Sequence, residues 1–207
     1  MAKVSTIIPS FCGNYTGCAT KREMKLIRAI DSWLNQTHYD KELILVSDGR
    51  PDTEEIYHDK YSSKHNIKFI KLEKQPLFSG NVRQAGLDLS SAEIITYLDS
   101  DDYFTPSHLS NIDSRMEERG LDWCYFSDYL KVDKKNIQQR PVHVLSNGVI
   151  GTSNIAHRRS LNVSWSGCDG YGHDFIFIQR LMSASNNYEQ IYGCGYIVCH
   201  TPNQIDN

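Results

Sequence analysis

The amino-acid sequence predicts an α/β fold: a single Rossmann-like, mostly parallel central sheet flanked by helices. Three observations predict it. Over the first hundred residues, short β-branched runs (VSTIIPSF at 4–11, ELILV at 42–46, IKFIKL at 67–72) alternate with segments of helical periodicity or polarity. That is the pattern of βαβ units. The first two runs are apolar almost without interruption, as strands covered on both faces are. Several runs stop in polar residues, namely Ser10, Asp48, Asp99 to Asp102 and His200. In an open α/β sheet such residues share the crevice at the carboxyl ends of the strands, where ligands bind.

Each element has its own warrant. Val4 to Phe11 is the first strand, followed by a loop of Gly and small polar residues at 12–20. Met24, Ile27, Ile30 and Leu34 recur at helical spacing, with Trp33 beside them, and predict an amphipathic helix over 21–36. The second strand, Glu42 to Val46, runs into the turn SDGRPD. A polar helical segment at 53–62 precedes the third strand, whose alternating lysines place it near an edge. A helix between Gly80 and Gly86 leads to a strand, EIITYL, that stops in Asp99-Ser100-Asp101-Asp102.

Beyond it, Leu109, Ile112 and Met116 form one face of a helix within 103–120, closed by Gly120. Residues 121–132 read as one long strand, and 133–146 as a polar loop or excursion. A Gly- and Ser-rich stretch at 147–154 runs into Ile155-Ala156-His157-Arg158-Arg159. A three-glycine loop at 164–172 precedes a helix that opens at Asp174 with Phe177, Ile178 and Leu181 inward. A last strand, 195–199, ends at His200. No repeat, low-complexity tract or domain boundary interrupts the 207 residues, a length that fits one domain.

Composition narrows the classes. With 40% hydrophobic and 23% charged residues the chain can pack a core and is not disordered. The net charge of −3, with scattered Lys and Arg, leaves no footprint for nucleic acid or an anionic membrane. No apolar run approaches the roughly 20 residues of a membrane span. Six cysteines form no CxxC pair and match no zinc module, so free thiols in a reducing compartment are expected. A soluble cytoplasmic protein is the expectation.

Three carboxylates at one strand end repel one another unless a cation sits among them. Hard divalent ions take oxygen ligands and commonly share them with a substrate phosphate. An acidic turn before a helix capped by Asp102 or Thr105 explains the same residues equally well.

Taken in order, VSTIIPSF, SWLNQTH, ELILVSDGRPDTEEI and NVRQAGLDLSSAEIITYLDSDDYFTP resemble the family 2 glycosyltransferases of the GT-A fold. The resemblance covers nearly the whole chain. It implies a GT-A catalytic domain over 1–207, with a nucleotide-sugar half at 1–102 and a smaller acceptor-side, catalytic half at 103–207. Pro9, Ser10 and Phe11 would line the nucleotide pocket and Asp48 would contact the base, uracil. Arg83 would approach the ribose and phosphates, although Val82 and Gln84 replace the family's Ala and Asn. Asp99-Ser100-Asp101 matches the DXD motif. Asp99 would meet the ribose or the metal's water shell, and Asp101 would ligate Mn²⁺ or Mg²⁺ on the diphosphate. Asp174 takes the place of the catalytic base, with His173 where the family has Glu. His200-Thr201-Pro202-Asn203-Gln204-Ile205 resembles the closing segment and would make His200 a metal or pyrophosphate ligand.

What the resemblance implies is an inverting transfer. An acceptor hydroxyl of a glycan attacks the anomeric carbon of a nucleotide-sugar, UDP-sugar first, and nucleoside diphosphate leaves. A dication on Asp101 and His200 would take up the charge of the leaving group. Asp174 would take the proton, and partial burial would raise its basicity. Competing roles stand beside these. Asp174 can be a helix N-cap, Asp169 is a rival base, and His200 can be an ordinary strand-end histidine. His157 and Arg158 either touch acceptor or phosphate or are ordinary surface charge, and Trp123, Trp165 and Tyr171 are either core or sugar-stacking. A sugar-phosphate nucleotidyltransferase needs an Arg-containing Gly-rich loop after strand one, and residues 12–20 have no Arg. An Asp-nucleophile phosphatase wants its DxD after the first strand. A calcium loop fails at Tyr103 and Phe104. A nucleotide-sugar-binding domain that transfers nothing is the remaining alternative. The chain is short for the family, which fits an excised domain whose missing C-terminal part supplies acceptor or partner contacts.

Overall fold

A computed structural model describes residues 2–133 and 135–200 of the chain. The strands are β1 (Val4–Ser10), β2 (Lys41–Asp48), β3 (Ile67–Leu72), β4 (Ile94–Tyr97), β5 (Tyr103–Phe104), β6 (Trp123–Tyr125), β7 (Asp128–Lys131), β8 (Ile137–Arg140), β9 (Ile155–Arg158), β10 (Tyr188–Gln190) and β11 (Tyr196–Val198). The helices are α1 (Arg22–Leu34), α2 (Pro51–Lys60), α3 (Asn81–Leu89), α4 (His108–Arg119) and α5 (His173–Ala184).

Among the described residues a seven-stranded sheet runs in the order β10-β6-β9-β4-β1-β2-β3. β4, β1, β2 and β3 are mutually parallel, and β9 is antiparallel to both of its neighbours, β4 and β6. The mostly parallel sheet expected from the sequence is observed, with the Lys-bearing β3 at its edge. Side-chain alternation along β1 and β2 divides the core. Val4, Ile8, Leu43 and Leu45 pack with Leu26, Ile30 and Trp33 of α1 and with Leu109, Ile112 and Met116 of α4. Ile7, Ile44 and Val46 face the other way, onto Val82 and Leu87 of α3 and Phe177, Ile178 and Leu181 of α5. Both faces of the parallel strands are therefore covered by helices, which is why those strands lack alternation in sequence.

Gly86 shows how close α3 lies. A Cβ there would sit 2.5 Å from Ile7 Cγ2. Gly120 ends α4 at φ 60°, as the sequence pattern anticipated.

Three local expectations need correction. The period of α1 is right but its phase is shifted. Leu26, Ala29, Ile30 and Trp33 are buried while Met24 is exposed. Residues 121–132 are not one strand. β6 belongs to the large sheet, whereas β7 joins a second sheet of order β5-β11-β7-β8. The break falls after Phe126, whose N–H donates to the Asn154 carbonyl as the last bond alongside β9; from Asp128 on, the chain pairs with β8 and β11 instead. The polar 133–146 stretch holds β8, which pairs antiparallel with β7. An edge strand of a small sheet can be polar because solvent takes its outer face.

Candidate active site

The second sheet stands opposite the carboxyl ends of β1, β2 and β4, and a cleft of about 620 Å³ opens between them. Pro9, Ser10, Phe11, Asp48, Arg83, Asp99, Ser100, Asp101, Asp174 and His200 all line it. A larger hollow of about 800 Å³ at the other end of β4 contains none of them. Size does not decide between the two; the convergence of polar strand ends does.

β4 pairs with β1 only as far as Ile7 and Tyr97, so Pro9, Ser10 and Phe11 lie where the two strands have parted. Pro9 is tolerated there because that ladder has ended. Ser10 is buried, its hydroxyl 3.0 Å from that of Thr53. Asp48 accepts from Lys74 Nζ at 2.7 Å and from the Gln75 backbone N–H at 2.6 Å. The same ammonium lies 4.4 Å from the centre of the Phe11 ring. Asp48, Lys74 and Phe11 thus form one connected wall.

Arg83 projects from α3 into the middle of the cleft. Its Nη2 donates to Asp99 Oδ1 at 2.9 Å and reaches Thr152 Oγ1 at 3.4 Å. Its Nη1 lies 3.1 Å from His173 Nε2. Gln84, by contrast, accepts from Ser164 Oγ and the Trp165 N–H and faces away. Its departure from the family pattern does not reach the cleft.

The acidic corner is held by the second sheet. The Asp99 N–H donates to Tyr196 Oη at 2.9 Å, and Asp102 Oδ1 accepts the Cys199 N–H at 2.8 Å. Burial pushes both carboxyls up. Arg83 opposes the rise at Asp99, while Asp101 and Asp99 add to it at Asp102. Asp102 is thus neither exposed nor a helix cap. Arg28 of α1 donates to the Asp101 carbonyl.

His200 follows β11 and lines the same cleft, its Nε2 2.8 Å from the Gly17 carbonyl oxygen. Thr201 to Ile205 lie outside the described residues. Among the described residues no three His, Cys, Asp or Glu side chains gather as a cage for a metal.

Asp174 is the second residue of α5, with its side chain 31% exposed and Oδ1 turned inward, 3.0 Å from His173 Nε2. Burial raises its pKa, but His173 and Arg83 outweigh that and the net direction is down. The expectation that burial strengthens this base is therefore corrected. The N-cap position is held by Gly172 and not by Asp174, whose carboxylate accepts from the Thr152 backbone instead. Asp169 is not among the cleft-lining residues; its Oδ1 accepts the Gly80 N–H.

The other candidates separate cleanly. His157 is buried and borders the other hollow, not the cleft. Its Nδ1 faces the Arg158 carbonyl, so its Nε2 accepts from Tyr97, which accepts from Trp165. Burial lowers its pKa to about 4. Arg158 pairs with Glu117. Trp123 and Trp165 are core, whereas Tyr171 is exposed at the mouth of the cleft. Sequence reasoning missed the Asp128–Arg140 pair, bidentate at 2.7 and 2.6 Å, which also lines the cleft. A spacing of twelve residues carries no signal until β7 and β8 are known to be a hairpin.

Comparison with known proteins agrees with this layout. The sequence profile described as Glycosyl transferase family 2 matches residues 18–182, well over half of the chain. The chain is 33% identical over 141 residues to an uncharacterized glycosyltransferase of Rickettsia bellii (strain RML369-C), covering 65% of this chain and 18% of that protein. It is 35% identical over 127 residues to the poly(ribitol-phosphate) beta-N-acetylglucosaminyltransferase TarP of Staphylococcus aureus (strain N315), covering 59% and 35%. It spans well under two thirds of the length of these curated relatives. The crystal structure of S. aureus TarS 1-349 superposes with a TM-score of 0.75 at 20% identity, over 95% of this chain and 60% of that one. The same fragment in complex with UDP-GlcNAc gives 0.74 at 19%, over 98% and 60%. The fold is thus the GT-A fold, and the chain belongs to glycosyl transferase family 2.

Proposed function

We propose that the chain transfers a sugar from a UDP-sugar to a hydroxyl of a glycan acceptor, with inversion and with a divalent ion on the diphosphate. The observation that carries this reading is the convergence of strand-end residues far apart in sequence, from Pro9 to His200, on one cleft. Residues 1–102 form the donor side and 103–207 the acceptor side of one catalytic unit. The name of TarP and the UDP-GlcNAc complex of TarS support UDP-N-acetylglucosamine as the first donor to try, with UDP-glucose and UDP-galactose next.

The residues fit a shared ion better than a caged one. Burial pushes Asp102 well up and the neighbouring Asp101 and Asp99 carboxylates add to it, so positive charge is welcome there. Lys25 of α1 supplies part of it through its Coulombic contact with Asp101. Mg²⁺ or Mn²⁺ takes one or two carboxylates and completes its shell with phosphate oxygens and water. Asp101 would be the first ligand. His200 would join through Nε2 only by giving up the Gly17 carbonyl. When bound, the ion would act as Lewis acid toward the leaving diphosphate. Arg83 orients the donor side, and Asp174 accepts the acceptor's proton.

Transfer from a panel of UDP- and GDP-sugars with Mn²⁺ tests the reading. Wild type should turn over at least one donor. Asp101→Ala and Asp174→Asn should each lose about 10²-fold or more. Nucleotide-sugar binding with no metal-dependent turnover in wild type would instead favour the non-transferring binding domain.

A further inference from the structure

His173 is buried between a cation and an anion. Its Nδ1 is 3.1 Å from the Gly170 carbonyl oxygen, which can only accept, so Nδ1 carries a proton. The single remaining nitrogen, Nε2, lies 3.1 Å from Arg83 Nη1 and 3.0 Å from Asp174 Oδ1. One nitrogen cannot serve both. As a lone pair it accepts from Arg83 and leaves Oδ1 of Asp174 without its donor. As an N–H it satisfies Asp174 and faces the guanidinium. Each state leaves one neighbour of Nε2 unserved, and a single proton between Oδ1 and Nε2 decides which.

We propose that His173 is the proton partner of Asp174, sharing the proton that Asp174 takes from the acceptor hydroxyl. This rests on the transferase reading above. The acceptor O–H bond breaks as its oxygen bonds to the anomeric carbon, and the anomeric carbon–phosphate oxygen bond breaks with its electron pair leaving on the nucleotide. The proton goes to the Asp174 carboxylate. A turn about the broad two-fold Cβ–Cγ torsion presents it to Nε2. It passes to solvent after the products depart, and Nε2 returns to Arg83.

The surroundings suit that role. From α3 His173 faces Arg83, whose charge is offset by Asp99 at the end of β4. From its own helix it faces Asp174. The segment 76–80 contributes the Phe78 ring and 164–172 the Trp165 ring, with centroids 5.9 and 6.3 Å from the imidazole. Asp169 of that second segment is turned to Gly80, and Thr152 comes from the 151–154 side. His173 is thus a positioning residue acting through Asp174. It offers the proton a second acceptor, the Nε2 lone pair, 3.0 Å from the carboxylate.

The test has two arms. In the first, ¹⁵N-histidine spectra of the unliganded protein are followed against pH, with His173→Gln used to assign the signal. Asp174→Asn should lower the His173 midpoint by about one pH unit or more, the loss of a direct ion-pair partner. In the second, pH–rate profiles are measured on whichever UDP-sugar wild type turns over. Wild type should show an ascending limb near the histidine range. His173→Gln should be about 10²-fold slower with that limb moved to lower pH, and His173→Glu should recover most of the rate without the limb. An unchanged His173 midpoint in Asp174→Asn, or a wild-type profile in His173→Gln, overturns the proposal. If wild type turns over no donor although the spectra show coupling, the transferase reading falls and the catalytic role with it. Turnover without coupling sinks this inference alone.

Discussion

The backbone N–H of Cys199 donates to Asp102 Oδ1 at 2.8 Å, joining residues 97 positions apart. Together with Tyr196 Oη on the Asp99 N–H, this bond holds the end of β11 against the end of β4. It thereby sets where His200 stands relative to Asp101. Asp102→Ala should leave a buried donor unpaired and cost about 1–3 kcal/mol, measurable by urea unfolding. Asp102→Asn keeps an acceptor oxygen and should cost less than half as much. If both variants unfold with wild-type midpoints, the bond does not hold the strand.

Arg83 makes three contacts that diverge from one planar fork: Asp99, Thr152 and His173. A lysine offers one ammonium and cannot reproduce the fork. Arg83→Lys should therefore fold, by circular dichroism, yet lose about tenfold or more in kcat/KM toward a nucleotide-sugar.

His108 is fully buried against Phe104 and Phe126, with neither ring nitrogen hydrogen-bonded. Burial lowers its pKa to about 3, and that of His157 to about 4. Both folded values lie below the unfolded value near ~6.5. The unfolded chain thus binds protons that the folded chain does not, and stability should fall as pH drops below about 6.5. Glu42, buried with Lys68, Ser5 and Ser91 as partners, is lowered to about 2. Its contribution is present above about 4.5 and is lost toward pH 2. His108→Phe should gain about 1–3 kcal/mol by removing unsatisfied polar atoms. The gain should be larger at pH 5 than at pH 7.5 in paired urea titrations, and a pH-independent gain would contradict the assignment.

Gly86 sits where α3 touches Ile7 and Val46. Ordinarily Gly→Ala stabilises a helix interior by roughly 0.5–1 kcal/mol. Here the added methyl would overlap Ile7, so Gly86→Ala should destabilise by about 1–3 kcal/mol in thermal or urea unfolding. A stabilised variant would show that α3 is packed more loosely.

Much of this molecule was readable from its residues because periodicity reports burial. The apolar runs of β1 and β2, the lysines of β3 and the stripes of α4 and α5 each match the face they occupy. The cleft was readable too, since polar residues stopping several strands had to meet at one edge. What could not be read depended on contacts distant in sequence. Residues 121–132 look continuous because aromatic and aliphatic residues recur through both β6 and β7, and only the pairing of β7 with β8 and β11 reveals that the chain changes sheets. β8 is too polar to announce itself. Asp102 resembles a helix cap until Cys199 is beside it. The basicity of Asp174 was misjudged because its inward neighbours, His173 and Arg83, outweigh its burial.

β9 runs against β4 and β6, so the stretch that feeds it, Gly151 to Asn154, meets the cleft on the way in rather than on the way out. A sheet of strands all pointing one way can furnish its crevice only with departing segments. Here the wall beside Asp174 is an approach ramp, continuous with Asn147 to Ile150. That ramp can lengthen without shifting the register of β1, β2 or β4. A two-residue insertion after Ser146 should leave nucleotide affinity within about twofold while changing which acceptors are used, an expectation grounded in the tolerance of surface connections to insertion. Diversity of acceptor would then arise on one rim of the scaffold while the opposite rim stays fixed.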